Sequence, residues 1–403
     1  MDVRRLANTL IFDVFDRIEN SPNATPIRRA LAEKGLAYLD GVAKDTGSDP
    51  VLTLELADAY RRLAEVQGAR GQANLGDRNG AVRSFEKGRA LLAPFLGSAQ
   101  SRVEIEVAHL NITRQLAWTL ANQPDRSQPL MAESVQRAIA LRDRYPGNTA
   151  VNETLADTYF FAALAAPPDQ QLALWMEANR VYRGLIERAP VQVDHLRSLA
   201  LTEKYIGGLY HSSKQFDFAR AHYERALELD RQVQAIRPAS RQTAIDLAID
   251  LANVASMHRA AVPPRLAEAL SLYRESLDLR ERAVAQDPQD VFARQALGFC
   301  LTQLSDLARE SGERDAAVSY GRRAVDTYES LPAAEHLARR AAAWLALGKA
   351  ATESGRLTQG CSALERAREY VAKAMVAPPN ERTQLEPDTL PSVNRAREAC
   401  SRP

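Results

Sequence analysis

Proline sets the frame of this chain. Pro50, Pro94, Pro146, Pro190, Pro238, Pro288, Pro332 and Pro378 are separated by 44, 52, 44, 48, 50, 44 and 46 residues. A proline ring cannot continue a helix interior, because it lacks the amide proton and collides with the preceding turn. The segments between the prolines carry helical periodicity, so each one predicts two helices closed by a breaker. The expectation is an all-α chain of about eight helical hairpins.

The stretch from Trp344 to Ala367 shows the hairpin pattern in full. Trp344, Leu347 and Gly348 share a helical face, Gly355 interrupts the chain, and Gly360, Leu364 and Ala367 resume an apolar stripe. Large residues fill the gap between two helices, and small ones let the helices approach. Leu56, Ala57 and Tyr60 with Ala81, Phe85 and Gly88 repeat these offsets. So do Ile206, Gly207 and Tyr210 with Ala219, Tyr223 and Ala226, and Leu304, Ser305 and Ala308 with Ala317, Gly321 and Ala324. Elsewhere the pattern is partial: Leu116, Ala117 and Leu120; Leu155, Ala156 and Tyr159 with Ala178, Tyr182 and Leu185; and Ala269, Tyr273 and Ser276. In the first unit Leu6, Leu10 and Phe15 precede a turn at Asn20–Asn23, and Thr25-Pro26 is a strong helix start.

These offsets resemble the tetratricopeptide repeat (TPR), with helices longer than its usual unit of about 34 residues. The resemblance implies a right-handed superhelical solenoid over residues 1–378, with an N-terminal capping hairpin at about 1–50. A HEAT-like α-solenoid is the alternative. Residues 379–403 turn polar and predict a tail or a short capping helix near Val393–Ala399.

Composition narrows the function. The 52 basic and 51 acidic side chains nearly cancel and are interspersed, so no basic stripe is available for nucleic acid. Apolar runs such as Ala341–Leu347 are far below the roughly 20 residues of a membrane span, so no direct membrane insertion is expected. The N-terminus soon meets Asp13 and Asp16 without an apolar signal core, which predicts a cytoplasmic protein. Cys300, Cys361 and Cys400 are odd in number and widely spaced, which predicts free thiols.

No residue constellation suggests catalysis, and no cofactor or metal is expected. Trp344, Tyr60, Tyr210, Tyr223 and Tyr273 read as core. His211, His222, His258 and His336 do not converge as ligands would. Asp246 and Asp250 lie one turn apart and read as a solvated face near Arg241. Phosphate-loop and serine-elbow motifs are missing.

The binding candidates are the residues of the first helix of each hairpin that point away from its core. In sequence these are Asp58 and Arg61, Asp157 and Phe160, Lys204 and His211, Asp306 and Arg309, and Lys349 and Thr352. Charge mixed with an occasional aromatic suits an extended peptide better than a small-molecule pocket. TPR domains that clamp a terminal carboxylate place Lys and Asn at these offsets. Here Gly208, Asp306 and Asp157 stand where Asn would be wanted.

The whole chain, most densely over residues 3–92 and diffusely beyond, also resembles the repeat region that follows the kinase domain in many bacterial serine/threonine protein kinases. That resemblance implies a sensory or partner-recruiting arm. Catalytic kinase motifs are missing, and His258-Arg259-Ala260 lacks the aspartate of the catalytic loop. Met1 would then begin a fragment or a detached relative, and a preceding transmembrane helix would place the repeats outside the cytoplasm. The expectation is a non-catalytic scaffold for a protein or peptide, with a structural, self-associating module as the alternative and an enzyme as the distant third.

Overall fold

The computed structural model describes residues 25–43, 49–68, 75, 77–97, 102–188, 192–288, 290–331, 336–377, 385 and 387–400. These residues form sixteen α-helices and no strand. They are α1 (Thr25–Val42), α2 (Pro50–Gly68), α3 (Arg78–Leu92), α4 (Val103–Thr119), α5 (Pro124–Arg144), α6 (Thr149–Ala165), α7 (Pro168–Arg188) and α8 (Val193–Ser212). They continue as α9 (Phe216–Ile236), α10 (Arg241–Ala260), α11 (Leu266–Gln286), α12 (Val291–Glu310), α13 (Arg314–Glu329), α14 (Leu337–Glu353), α15 (Leu357–Met375) and α16 (Thr389–Arg397). The chain divides into two compact units, Met1–Ser213 and Lys214–Pro403. The first-unit helix expected around Leu6–Phe15, and its turn, lie outside the described residues.

The proline spacing corresponds to helix ends. Helices α3, α5, α9 and α11 end two residues before Pro94, Pro146, Pro238 and Pro288. Pro50 instead opens α2, where a missing amide proton costs nothing. Pro190, Pro332 and Pro378 lie outside the described residues. Starts are set by side chains: Asp77, Asn148, Ser240 and Asp290 each accept a hydrogen bond from a backbone amide of the first turn. Asn148→Ala removes the acceptor of the Val151 amide (3.1 Å) and is expected to lower stability by about 1 kcal/mol in chemical denaturation.

Within the first unit α2 packs on α3, α4 on α5 and α6 on α7; within the second, α10 packs on α11, α12 on α13 and α14 on α15. First helices also touch one another, α2 with α4, α4 with α6, and α12 with α14. Phe85, Ile112 and Leu116 anchor one core, and Leu304, Val318 and Tyr328 another. The small residues do what the pattern predicts: a Cβ on Gly88 would stand 3.1 Å from the Ala57 carbonyl oxygen, and one on Gly321 2.9 Å from the Leu347 Cα. Tyr60, Tyr223 and Tyr273 are buried, whereas Trp344 and Tyr210 are only partly so.

Arginine ties consecutive repeats together. Arg89 meets Glu133 (2.9 Å), Arg126 meets Glu86 (2.8 Å) and Arg231 meets Glu275 (3.3 Å), each pair about one repeat apart. Arg274 with Glu313, Arg323 with Glu281 and Arg356 with Asp315 continue the pattern. Pairs this exposed contribute no more than about 1 kcal/mol each, so they align neighbours more than they hold them.

Two sequence expectations are corrected. Cys361 and Cys400 form a disulfide, and only Cys300 is free and buried. Their separation of 39 residues hides the pairing in the sequence, because α16 folds back onto α15 to bring them together. Asp246 and Asp250 are buried, not solvated, and Arg241 pairs with Asp290 instead. The first helix of an inner hairpin is covered on more than one side at once, by α9 and α11 in the case of α10, with Arg259 reaching Gln303 and Glu310 of α12, so little of its circumference reaches water. No helix among the described residues is long and apolar enough to cross a membrane.

Candidate functional site

In the first unit the candidates border a cleft of about 430 Å3 formed by α2, α4 and the start of α6. Asp58 and Arg61 stand on its α2 side, with the Arg61 Nε donating to Asp58 at 2.7 Å and its Nη1 to Glu65 at 2.6 Å. Burial works against the Arg61 charge, but Glu65 and Asp58 outweigh it and raise its pKa. The α4 side supplies Asn111, Arg114 and Gln115, and Asn148 closes the α6 end. Val103, Val107 and Ile112 make the apolar wall.

Arg114, only 5% exposed, is the residue that sequence reasoning missed. Its guanidinium donates to Asn111 and to Asp157, and lies 5.4 Å from the Phe161 ring centroid. Its Nε and the Gln115 Oε1 are buried without a hydrogen-bond partner among the described residues. Asp157 also accepts from Tyr182, whose hydroxyl pKa is pushed up by burial and then by that carboxylate. The register would have found Arg114: counted from Leu116 and Ala117 it holds the offset that Lys204 holds relative to Ile206 and Gly207.

Phe160 belongs to a ring cluster instead of a free surface. Its centroid lies 4.7 Å from Trp175, 5.6 Å from Phe161 and 5.7 Å from Tyr205. Lys204 is half-buried and His211 exposed. The cleft therefore unites Asp58 and Arg61, and reaches Asp157 through Arg114; Lys204 and His211 do not line it.

In the second unit the candidates are engaged by neighbouring groups. Arg259 holds Glu310 through its Nε (2.9 Å) and Nη2 (2.6 Å). Arg309 reaches Glu353 (3.1 Å) and Asp306 (3.7 Å). Burial raises the Asp306 pKa against the opposing charges of Lys349, Arg309 and Arg259. The Thr352 hydroxyl is turned back to the Gly348 carbonyl at 2.9 Å. Beside this network Phe292 and Phe299 are exposed on α12, and Arg339 lies over Phe299 at 5.4 Å. Among the described residues no group of three or more His, Cys, Asp and Glu side chains could hold a metal ion.

This architecture is an all-α solenoid of TPR-like hairpins. Residues 206–233 match the family model described as tetratricopeptide repeat. Among solved structures the apo form of RapI has a TM-score of 0.55 at 10% identity, covering 87% of this chain and 86% of that one. BtubC from P. vanneervenii reaches 0.47 at 18% identity, over 64% of this chain and 94% of its own. Aspartyl phosphate phosphatase F from Bacillus subtilis reaches 0.43 at 12% identity, over 88% and 79%. No curated protein matches the sequence.

Proposed function

We propose that the protein is a non-catalytic scaffold that binds an extended peptide segment across the first helices of its repeats, with the α2–α4–α6 cleft as the principal site. The lining of that cleft carries the reading. Asp58 and Glu104 balance Arg61 and Arg114, so the walls bear no net charge. Its lining offers carboxylate and amide acceptors together with guanidinium and amide donors beside an apolar strip. An extended main chain offers both N–H and C=O groups, with side chains to fill the strip. A phosphate-rich ligand would want an excess of donors.

The resemblance of residues 3–92 to kinase-associated repeats supports a sensory or recruiting arm of a bacterial serine/threonine kinase system. The test is selection from a displayed library of random linear peptides against the whole chain. A shared motif should be enriched, and Asn111→Ala combined with Arg61→Ala should weaken the selected peptide at least tenfold with an unchanged circular dichroism spectrum. Enrichment that survives both substitutions would place the peptide elsewhere.

A further inference from the structure

The end of the second unit is closed by α16, which packs on α14 and α15. Its non-covalent hold is thin. Val393 is its one fully buried apolar side chain, inserted among Leu364, Ala367 and Val371, while Leu390 and Ala396 are partly covered. Arg397 pairs with Glu365 on a half-exposed surface. A helix of nine residues is below the roughly 12–15 needed for appreciable stability alone, and one valine does little against the entropy of ordering the segment. The remaining attachment is covalent: Cys400, just beyond α16, is bonded to Cys361 in the first turns of α15.

We propose that Cys361–Cys400 is a redox latch that holds α16 closed over the α14–α15 end, and that reduction by a dithiol frees the cap. One thiolate of the dithiol attacks a sulfur of the bond and gives a mixed disulfide. Its second thiol resolves that intermediate, leaving Cys361 and Cys400 as two thiols and the reductant as a disulfide. Both cysteines are partly exposed, so the bond is within reach of a reductant. Cys300 takes no part, since it is buried and burial raises its thiol pKa to about 11. The closed form belongs to an oxidising compartment, and the open form to one that keeps thiols reduced.

Hydrogen exchange on the full chain, with and without a dithiol reductant, tests the latch. Exchange of the 389–397 amides should accelerate at least tenfold on reduction while α10–α13 keep their protection. Cys361→Ser with Cys400→Ser should show the fast exchange without reductant and no further response to it. Unchanged protection of 389–397 in the reduced protein would overturn the proposal. So would loss of protection spreading through α10–α13, or free thiols at Cys361 and Cys400 in protein purified in air.

Discussion

Glu329→Ala is expected to lower stability by about 3 kcal/mol, the cost of stranding a buried charge. Arg340 is 2% exposed, and its guanidinium donates to Glu329 at 2.7 Å and to the Leu331 carbonyl at 2.8 Å. The same carboxylate accepts from the Trp344 indole (2.9 Å) and the Tyr370 hydroxyl (2.8 Å), so one side chain ties α13 to α14 and α15. Removing it leaves a nearly dry cation and two donors short of an acceptor. Because Glu329 is itself 33% exposed, water recovers part of the loss, which places the estimate at the low end of about 3–5 kcal/mol for broken buried pairs. Glu329→Gln should fall between, keeping an acceptor but not the charge. Urea denaturation followed by circular dichroism decides it: a loss below about 1 kcal/mol would mean that solvent replaces the carboxylate.

The pH dependence has a definite sign. Burial alone would raise the Glu329 pKa, but the hydrogen bonds from Trp344 and Tyr370 and the Arg340 charge outweigh it, and the net shift is downward. A depressed folded-state pKa gives stability that is present above the unfolded value of about 4.3 and is lost as pH falls through the folded one. The difference in melting temperature between wild type and Glu329→Gln should therefore be constant near neutrality and shrink below about pH 4.

The repeat was legible because its determinants are local. A proline disfavours the helix turn before it wherever it stands, so it marks a helix boundary, an end at Pro94, Pro146, Pro238 and Pro288 and a start at Pro50. Gly312 and Gly355, both at φ +81°, mark turns that other residues rarely make. Asp246 and Asp250 were not, since their burial depends on which neighbours cover α10, and helical periodicity records only one face. The disulfide was illegible for the same reason: spacing says nothing of a terminal helix that turns back.

The sequence marks part of the cleft lining in position and none of it in state. Offsets relative to Leu56 and Ala57 mark Asp58 and Arg61, and both line the cleft. The same offsets mark Asp306 and Arg309, where ionic partners one repeat away, such as Glu353, occupy the charges. Whether a groove side chain faces solvent or a neighbouring repeat is decided by pairs separated by some 44 residues, which no single helix reveals.

Glycine-to-alanine changes should have opposite signs at two helical positions of this chain. At Gly184 in α7 no atom lies within 4 Å of the position a Cβ would take, so Gly184→Ala should stabilise by up to about 1 kcal/mol, the difference in helix propensity. At Gly360 in α15 the new Cβ would stand 2.8 Å from the Thr352 backbone nitrogen and 2.4 Å from its Cγ2, so the two helices must move apart. Overpacking of this kind costs about 1–3 kcal/mol, and a backbone obstacle puts it at the upper end, so Gly360→Ala should lose about 2 kcal/mol after the propensity gain. Gly348→Ala faces the side chain of Leu364 at 2.7 Å, an obstacle that substitution can remove. Leu364→Ala alone opens a cavity worth about 2–5 kcal/mol, yet the double substitution should cost less than the sum of the two, because each relieves the other. Urea denaturation of the whole chain followed by circular dichroism reads Gly184→Ala, while Trp344 fluorescence in a Trp118→Phe, Trp175→Phe background reports the second unit alone, since these are the three tryptophans of the chain. Additive losses for Gly348→Ala and Leu364→Ala would show that the α14–α15 crossing is looser than the approach of its two glycines requires.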